Sequence, residues 1–327
     1  MDAERPYESV LITGASGYIG HQVVEALAAQ PGKLRTVVAA DIRLPEATAR
    51  LPGVEYVHAD VREADLAGLC RDHGVDVVVH LAAIVTPGRQ SRRELEYQVD
   101  VLGTQRVLEA CRAAGVRKLI YTSSGAAYGY HADSPAWLDE DAPLRGNPEF
   151  AYADHKRLVE EMLARWRRQY PGLLQLIFRP GTILGACANN QITNLFDGHY
   201  VLGLTGTASP FVIVWDRDVV GAILHGIHQG GTGIYNLAGD GTLTLREMAG
   251  IMGKPYIAMP AWLVAGALWV LRRLGLTQYG PEQVNFLRYR PVLSNRRLKE
   301  QLGYAPRKTT REVFDDFLRT RRHGAAT

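Results

Sequence analysis

The turn Gly14-Ala-Ser-Gly17-Tyr18-Ile19-Gly20 directly follows the apolar run 9–13 (SVLIT) and directly precedes a segment with helical apolar spacing at Ile19, Val23 and Leu27. Glycine permits the tight turn and lets a pyrophosphate approach backbone N–H groups at the positive end of the helix. The last glycine allows the helix to pack closely on the strand. A glycine pattern alone marks only a turn, but the strand before it and the helix after it are the context a dinucleotide-binding turn requires. Short runs that are wholly or nearly wholly apolar recur at 36–40, 54–58, 75–81, 118–123 and 173–178, with helical patterns at 63–72, 92–114 and 152–169 filling most of the gaps. Strands apolar on both faces belong to a parallel sheet covered by helices.

After Arg179-Pro180-Gly181 the chain becomes glycine-rich and irregular, with one more strand-like run at 233–237. The expected fold is therefore α/β, a Rossmann doubly wound parallel sheet with a smaller interleaved C-terminal lobe. Residues 1–180 would form the nucleotide-binding domain, its sheet completed by segments near 211–239, and residues 181–210 and 240–320 the substrate-binding lobe. The run 257–271 (IAMPAWLVAGALWVL) is almost wholly apolar. It is shorter than the roughly 20 residues a membrane span needs and is interrupted by Pro260. A buried helix is the first expectation for it, with a hydrophobic substrate wall or a membrane-surface patch as alternatives.

With 327 residues, 46% of them hydrophobic and 22% charged, the chain can bury a large core, which excludes a disordered or peptide-sized module. Cys70, Cys111 and Cys187 have no metal-ligand spacing and cannot all pair, so no metal is expected and a reducing cytoplasm suits them. The opening MDAERPYESV has no apolar run of the kind a secretory leader carries. Net charge is +3, and from Phe286 onward eleven Lys or Arg face four Asp or Glu. That imbalance reads first as a solvated face and second as attraction for an anion. No aromatic residues interleave with these cations in a nucleic-acid module, so no nucleic-acid partner is expected.

Asp41 follows the second strand about 20 residues beyond the last glycine of the turn, where a carboxylate accepts hydrogen bonds from ribose hydroxyls and repels a 2′-phosphate, favouring NAD over NADP. Asp60-Val61 follows the third strand and could likewise reach the adenine. Tyr152 and Lys156 stand four apart at the head of a helical pattern and so project from one face. An ammonium beside a phenol favours the phenolate, which makes Tyr152 usable as acid or base. Ser124 supplies a hydroxyl at the end of the fifth strand, where such sheets bind ligands.

Taken together, Gly14/Gly17/Gly20, Asp60-Val61, His80-Leu-Ala-Ala83, Gly103-Thr104, Ser123-Ser124 with Tyr128-Gly129, Tyr152/Lys156, Arg179-Pro180 and Asp218 resemble the extended short-chain dehydrogenase/reductases, in their NAD-dependent epimerase/dehydratase group. The resemblance covers nearly the whole chain. It implies catalytic roles for Ser124, Tyr152 and Lys156. It implies cofactor contacts for Gly14, Gly17, Tyr18, Ile19, Gly20, Asp41, Asp60, Val61, Ala82, Tyr152 and Lys156, and a homodimer through the helices at 92–114 and 152–169.

The departures from the family pattern carry information too. Dehydratases of the group have Asp-Glu after the catalytic hydroxyl residue, whereas Ser124 is followed by Gly125-Ala126, so dehydration is disfavoured. Phe211 stands where sugar-nucleotide epimerases place an arginine on the diphosphate, which removes charge-assisted hydrogen bonds from that reading. Asp100 replaces the usual asparagine of its motif.

The reading that results is an NAD-dependent enzyme performing hydride transfer at a secondary alcohol or ketone of a bulky, partly hydrophobic small molecule. The alternative is a nucleotide-sugar epimerase, with Arg290 as a phosphate contact. A non-catalytic NAD-binding regulator is the alternative of another class, and the retained Ser124, Tyr152 and Lys156 count against it.

Overall fold

The computed structural model describes residues 5–85, 92–188, 191–277 and 280–324. The outermost residues of the N-terminal segment and of the basic C-terminal tail lie outside that range.

The first half of the chain alternates strand and helix. Strand β1 (Ser9–Thr13) leads into α1 (Tyr18–Ala29), then β2 (Thr36–Asp41), β3 (Val54–His58), α2 (Leu66–Asp72) and β4 (Val77–His80). A helical stretch follows in three parts: α3 (Arg93–Tyr97), a π-helical turn (Gln98–Leu102) and α4 (Gly103–Ala114). Then come β5 (Lys118–Thr122), α5 (Ala151–Gln169) and β6 (Leu174–Pro180). The second half is more broken: β7 (Thr182–Leu184), α6 (Gln191–Asn194), β8 (Val201–Leu204), β9 (Pro210–Phe211), β10 (Ile213–Trp215), α7 (Asp216–His228) and β11 (Gly233–Leu237). It ends with β12 (Leu243–Thr244), α8 (Leu245–Met252), β13 (Tyr256–Met259), α9 (Ala261–Arg273), α10 (Gln283–Arg288) and α11 (Thr310–Gly324).

Seven strands form one sheet in the order β11-β6-β5-β4-β1-β2-β3, and every pairing in it is parallel. This is the Rossmann-like α/β fold expected. Alternate residues of each strand point to opposite faces, and the packing follows that period. Val10, Ile12, Val37, Val77, Val79, Ile120, Leu176 and Phe178 meet residues of α1 and α7 on one face. Leu11, Val38, Val78, Leu119, Tyr121 and Ile177 meet residues of α2, α4 and α5 on the other. Burying a side chain of this size contributes about 1.5–3 kcal/mol, so both faces must be covered for the sheet to persist.

Strand order reverses between β1 and β4, which opens a crevice at the carboxyl ends of those strands where ligands bind in such sheets. A third cluster, with Phe196, Phe211, Leu243, Met248, Phe314 and Phe317, is built from the later elements. In that region helix α8 is capped reciprocally, with Thr244 bonding the backbone of Glu247 and Glu247 reaching back to Thr244.

The run 257–271 departs from its first expectation. It divides into the end of β13 and most of α9, and no residue of α9 is buried. Periodicity identifies an apolar helix but carries no information about what covers it.

Candidate active site

The glycine turn sits at the crevice. Gly14 has φ +73, and a Cβ there would fall 2.5 Å from the Ala82 amide nitrogen; one on Gly20 would fall 2.1 Å from the Gly14 carbonyl. Only glycine allows β1, α1 and the loop after β4 to close up this way. Ala82 thus lies against the turn, and Ile19 packs on the core beneath it. Gly14 and Gly17 border a cavity of about 450 Å3 that runs on past Ser124, Tyr152 and Lys156 to Phe286 and Arg290.

Asp41 ends β2 with its carboxylate turned to the same loop. One oxygen accepts from the Ser16 amide and the other from the Arg43 amide, both at 3.0 Å. A carboxylate offers about four acceptor positions, so two remain for a ribose diol while the existing bonds hold the turn. The three glycines of the turn, which leave backbone open to the cavity, and the carboxylate at the end of β2 suit the diphosphate and the ribose of a dinucleotide. Tyr18 borders the same cavity, and its hydroxyl donates to Asp216 at 2.6 Å. Burial and that carboxylate hold the phenol well above its ordinary pKa. Asp60 binds Arg62 through both oxygens, and Val61 is buried beside Gly103.

Ser124 follows β5 and begins a short turn (Gly125–Tyr128) whose Ala126 amide donates to the Ser124 hydroxyl at 3.1 Å. Tyr152 lies in the first turn of α5 and borders the same cavity as Ser124. One turn on, Lys156 is buried, its ammonium donating to the Tyr121 hydroxyl and the Thr122 carbonyl, each at 2.9 Å.

The electrostatics differ from the sequence expectation. The Lys156 nitrogen is 5.7 Å from the centre of the Tyr152 ring and is held by β5. Burial pushes the Tyr152 phenol up from its ordinary value, against the opposing influence of the Ser124 side chain. Burial likewise pulls Lys156 down to about 8. Desolvation outweighs the ammonium because the charged form of each group has left water.

Beneath the site His80 bridges the Thr13 hydroxyl at 2.6 Å and the Thr104 hydroxyl at 3.0 Å. Burial pulls its pKa down to about 3, so the imidazole is neutral and acts as a spacer between β1, β4 and α4. Asp100 finds its explanation here: one oxygen accepts from the Ile84 amide at 2.9 Å, and the other lies 3.3 Å from Nδ1 of His155. The carboxylate that replaces asparagine is met by an imidazole from α5, adjacent in sequence to Lys156.

Phe211 is the clearest correction. It is fully buried in the third cluster, and the guanidinium of Arg290 lies 4.1 Å from its ring centre and 4.6 Å from that of Phe286. Arg290 donates one bond to the Thr182 hydroxyl at 3.1 Å, while its buried Nη1 has no hydrogen-bond partner. Burial lowers its pKa to about 10, which leaves it charged at neutral pH. The cavity therefore presents a cation at the place where the sequence predicts an apolar wall. Thr182 and Phe286, which hold that cation, carry no sequence signal of their own.

The model of the NAD dependent epimerase/dehydratase family matches residues 10–207. An uncharacterized protein of Mycobacterium tuberculosis is 28% identical over 316 residues, covering 95% of this chain and 84% of that protein. The UDP-glucose 4-epimerase of Mycolicibacterium smegmatis is 35% identical over 168 residues, 49% of this chain and 51% of that protein. Among solved structures, DesIV, a dTDP-glucose 4,6-dehydratase from Streptomyces venezuelae solved with NAD, superimposes with a TM-score of 0.73 at 25% identity, covering 97% of this chain and 98% of that one.

Proposed function

The chain belongs to the NAD-dependent epimerase/dehydratase family, and from that premise we propose that it is an oxidoreductase acting at a secondary alcohol or ketone of a small molecule that carries an anionic group. One observation carries the reading: Ser124, Tyr152 and the buried Lys156 border the same cavity as the glycine turn. NAD, when bound, supplies the hydride acceptor or donor. Tyr152 exchanges the proton of the substrate oxygen, and Ser124 donates a hydrogen bond that orients that oxygen. Lys156 holds the β5 end of the site through Tyr121 and Thr122, and its ammonium is the group available to a cofactor ribose. Gly14, Gly17 and Gly20 receive the diphosphate, and Asp41 the adenosine ribose. Substrate binding falls to the later elements around Arg290, which belong to residues 181–210 and 240–320. A homodimer through the helical stretch ending in α4 and through α5 belongs to the same proposal.

A second reading, epimerisation of a nucleotide sugar, is favoured by Arg290. A buried guanidinium with an unpartnered nitrogen is costly unless an anion completes it, and a diphosphate would do so. The two readings separate when the NAD-loaded protein is supplied with UDP-glucose, dTDP-glucose and uncharged secondary alcohols in turn. Accumulating NADH with a ketone product supports net oxidation. An epimer formed without net NADH supports epimerisation. Binding of NAD without either product from any anionic or neutral alcohol, across a broad panel, overturns the enzymatic reading.

Cofactor choice is a separate expectation. NAD binds more tightly than NADP, and Asp41→Asn, which keeps an acceptor for the turn but removes the charge, narrows the difference. Equal or tighter binding of NADP to the unmodified protein, measured by titration calorimetry, contradicts it.

A further inference from the structure

Helix α9 presents an apolar face to solvent. Before Arg272 its only side chains with a hydrogen-bonding group are the tryptophans, and none of its residues is buried. Trp262 is 75% exposed and Trp269 54%, with Leu263 and Val270 beside them. These four, with Gly266, stand at i, i+1, i+4, i+7 and i+8, which is one face of a helix. Leu274 and Leu276 continue the exposed apolar surface past the helix end, and Leu202 and Ile257, paired across β8 and β13, are also exposed. An apolar stripe of this length on a helix ordinarily faces a core; here the described structure packs α9 against α10 and leaves the stripe open.

The charges around the stripe select its occupant. No Asp or Glu occurs between Glu247 and Glu282, whereas Lys254, Arg272 and Arg273 do; Glu282 pairs with Arg272 at 3.1 Å, which leaves Arg273 as the cation at the helix end with no carboxylate partner among the described residues. Arg273 lies over the Trp269 ring at 5.3 Å, which ties a cation to the edge of the apolar face. A second copy would be a poor cover. Antiparallel pairing of two such helices sets Arg273 at the positive N-terminal end of the partner helix, where the sequence from 248 to 271 offers no acid. Parallel pairing sets Arg273 against its own copy. An anionic lipid surface meets the apolar face with acyl chains and the cations with headgroups. Tryptophan suits that boundary, having an apolar body and a polar edge. Thirteen residues span about 20 Å, short of the roughly 30 Å of a hydrocarbon core, so the helix lies in the plane of the surface. Among the described residues no helix is long and apolar enough to cross a membrane.

We propose that α9 docks the protein on an anionic bilayer surface, with Trp262, Leu263, Trp269 and Val270 inserted at the headgroup boundary and Arg273, at the edge of Trp269, facing acidic headgroups. The proposal stands apart from the reaction assigned above. It has one consequence for access: α10, which packs on α9, carries Phe286 at the cavity wall, so the cavity lies beside a membrane-facing element.

The test is flotation of the full chain with vesicles of phosphatidylcholine alone and of an equimolar mixture with phosphatidylglycerol, with tryptophan quenching by brominated lipid as a second readout. Expected are binding to the mixed vesicles, weaker binding to phosphatidylcholine, and a loss of about tenfold or more in partitioning for Trp262→Ser/Trp269→Ser. Arg273→Gln should remove most of the preference for phosphatidylglycerol. Thermal melting and NAD binding check that the variants are folded. No binding to mixed vesicles, or binding unchanged in the double-tryptophan variant, overturns the proposal. So does a dimer in sedimentation velocity that the double-tryptophan variant abolishes, because the face would then belong to a second copy.

Discussion

Replacing Tyr152 by Phe lowers turnover about a hundredfold or more and leaves NAD affinity nearly unchanged, because the substitution removes one hydroxyl from the reacting end and no charge from the cofactor side. The magnitude is that of positioned proton transfer, about 10²–10⁴ in rate. The phenol is held above its ordinary pKa by burial, so it is protonated at neutral pH and ready as an acid. Ketone reduction in the forward direction therefore varies little with pH around neutrality. Alcohol oxidation needs the phenolate, whose fraction grows about tenfold per pH unit below the pKa, so the oxidative rate rises with pH. That rise should flatten above about 8, where Lys156 loses its charge. Steady-state rates in both directions between pH 6 and 9 test this, and turnover surviving in the Phe variant contradicts the assignment.

Arg290→Met should cost about ten- to a hundredfold in affinity for a phosphate- or diphosphate-bearing substrate, the loss expected for one charge-assisted hydrogen bond of roughly 1.5–3 kcal/mol. Met keeps an unbranched side chain over Phe211 and Phe286 without the charge. The NAD-loaded variant should melt no lower than the parent, since a buried guanidinium with an unpartnered nitrogen contributes little to stability on its own. The measurement is the heat-stability increment produced by UDP-glucose or dTDP-glucose in parent and variant. An equal increment in both rules out Arg290 as the anion contact. Phe211→Arg is the wrong probe, because it buries a second guanidinium beneath the first and disrupts the third core cluster before it reports on binding.

The glycine turn and the parallel sheet were legible because their signals are local. Gly14, Gly17 and Gly20 act within one turn, Asp41 ends the strand that precedes it, and the strands announce a two-faced burial by being apolar without alternation. Tyr152 and Lys156 share a helix, so their common face follows from four-residue spacing. Ser124 had to be brought to them across the fold. It arrived because β5 ends at the crevice, as parallel sheets of this order require.

Other features lay beyond any local signal. Asp100 and His155 are 55 residues apart, and a carboxylate in place of asparagine is unreadable until the imidazole that meets it is known. Phe211 looked like a lost arginine because a motif position reports the residue type and nothing about a neighbour 79 positions later; Arg290 stacked on its ring reverses the conclusion. The phenol and ammonium moved opposite to simple pairing because burial is a property of the packed whole.

The sequence by itself determined the α/β architecture, the glycine turn between β1 and α1 and the shared helix face of Tyr152 and Lys156, since backbone conformation, burial period and helical spacing all act over a few residues. Only the tertiary structure decided the sign of the pocket at Arg290, the partner of Asp100, the height of the Tyr152 pKa and the exposure of α9. Each of those depends on which distant groups exclude water from a side chain, and solvent exclusion exists only once the chain has closed around it.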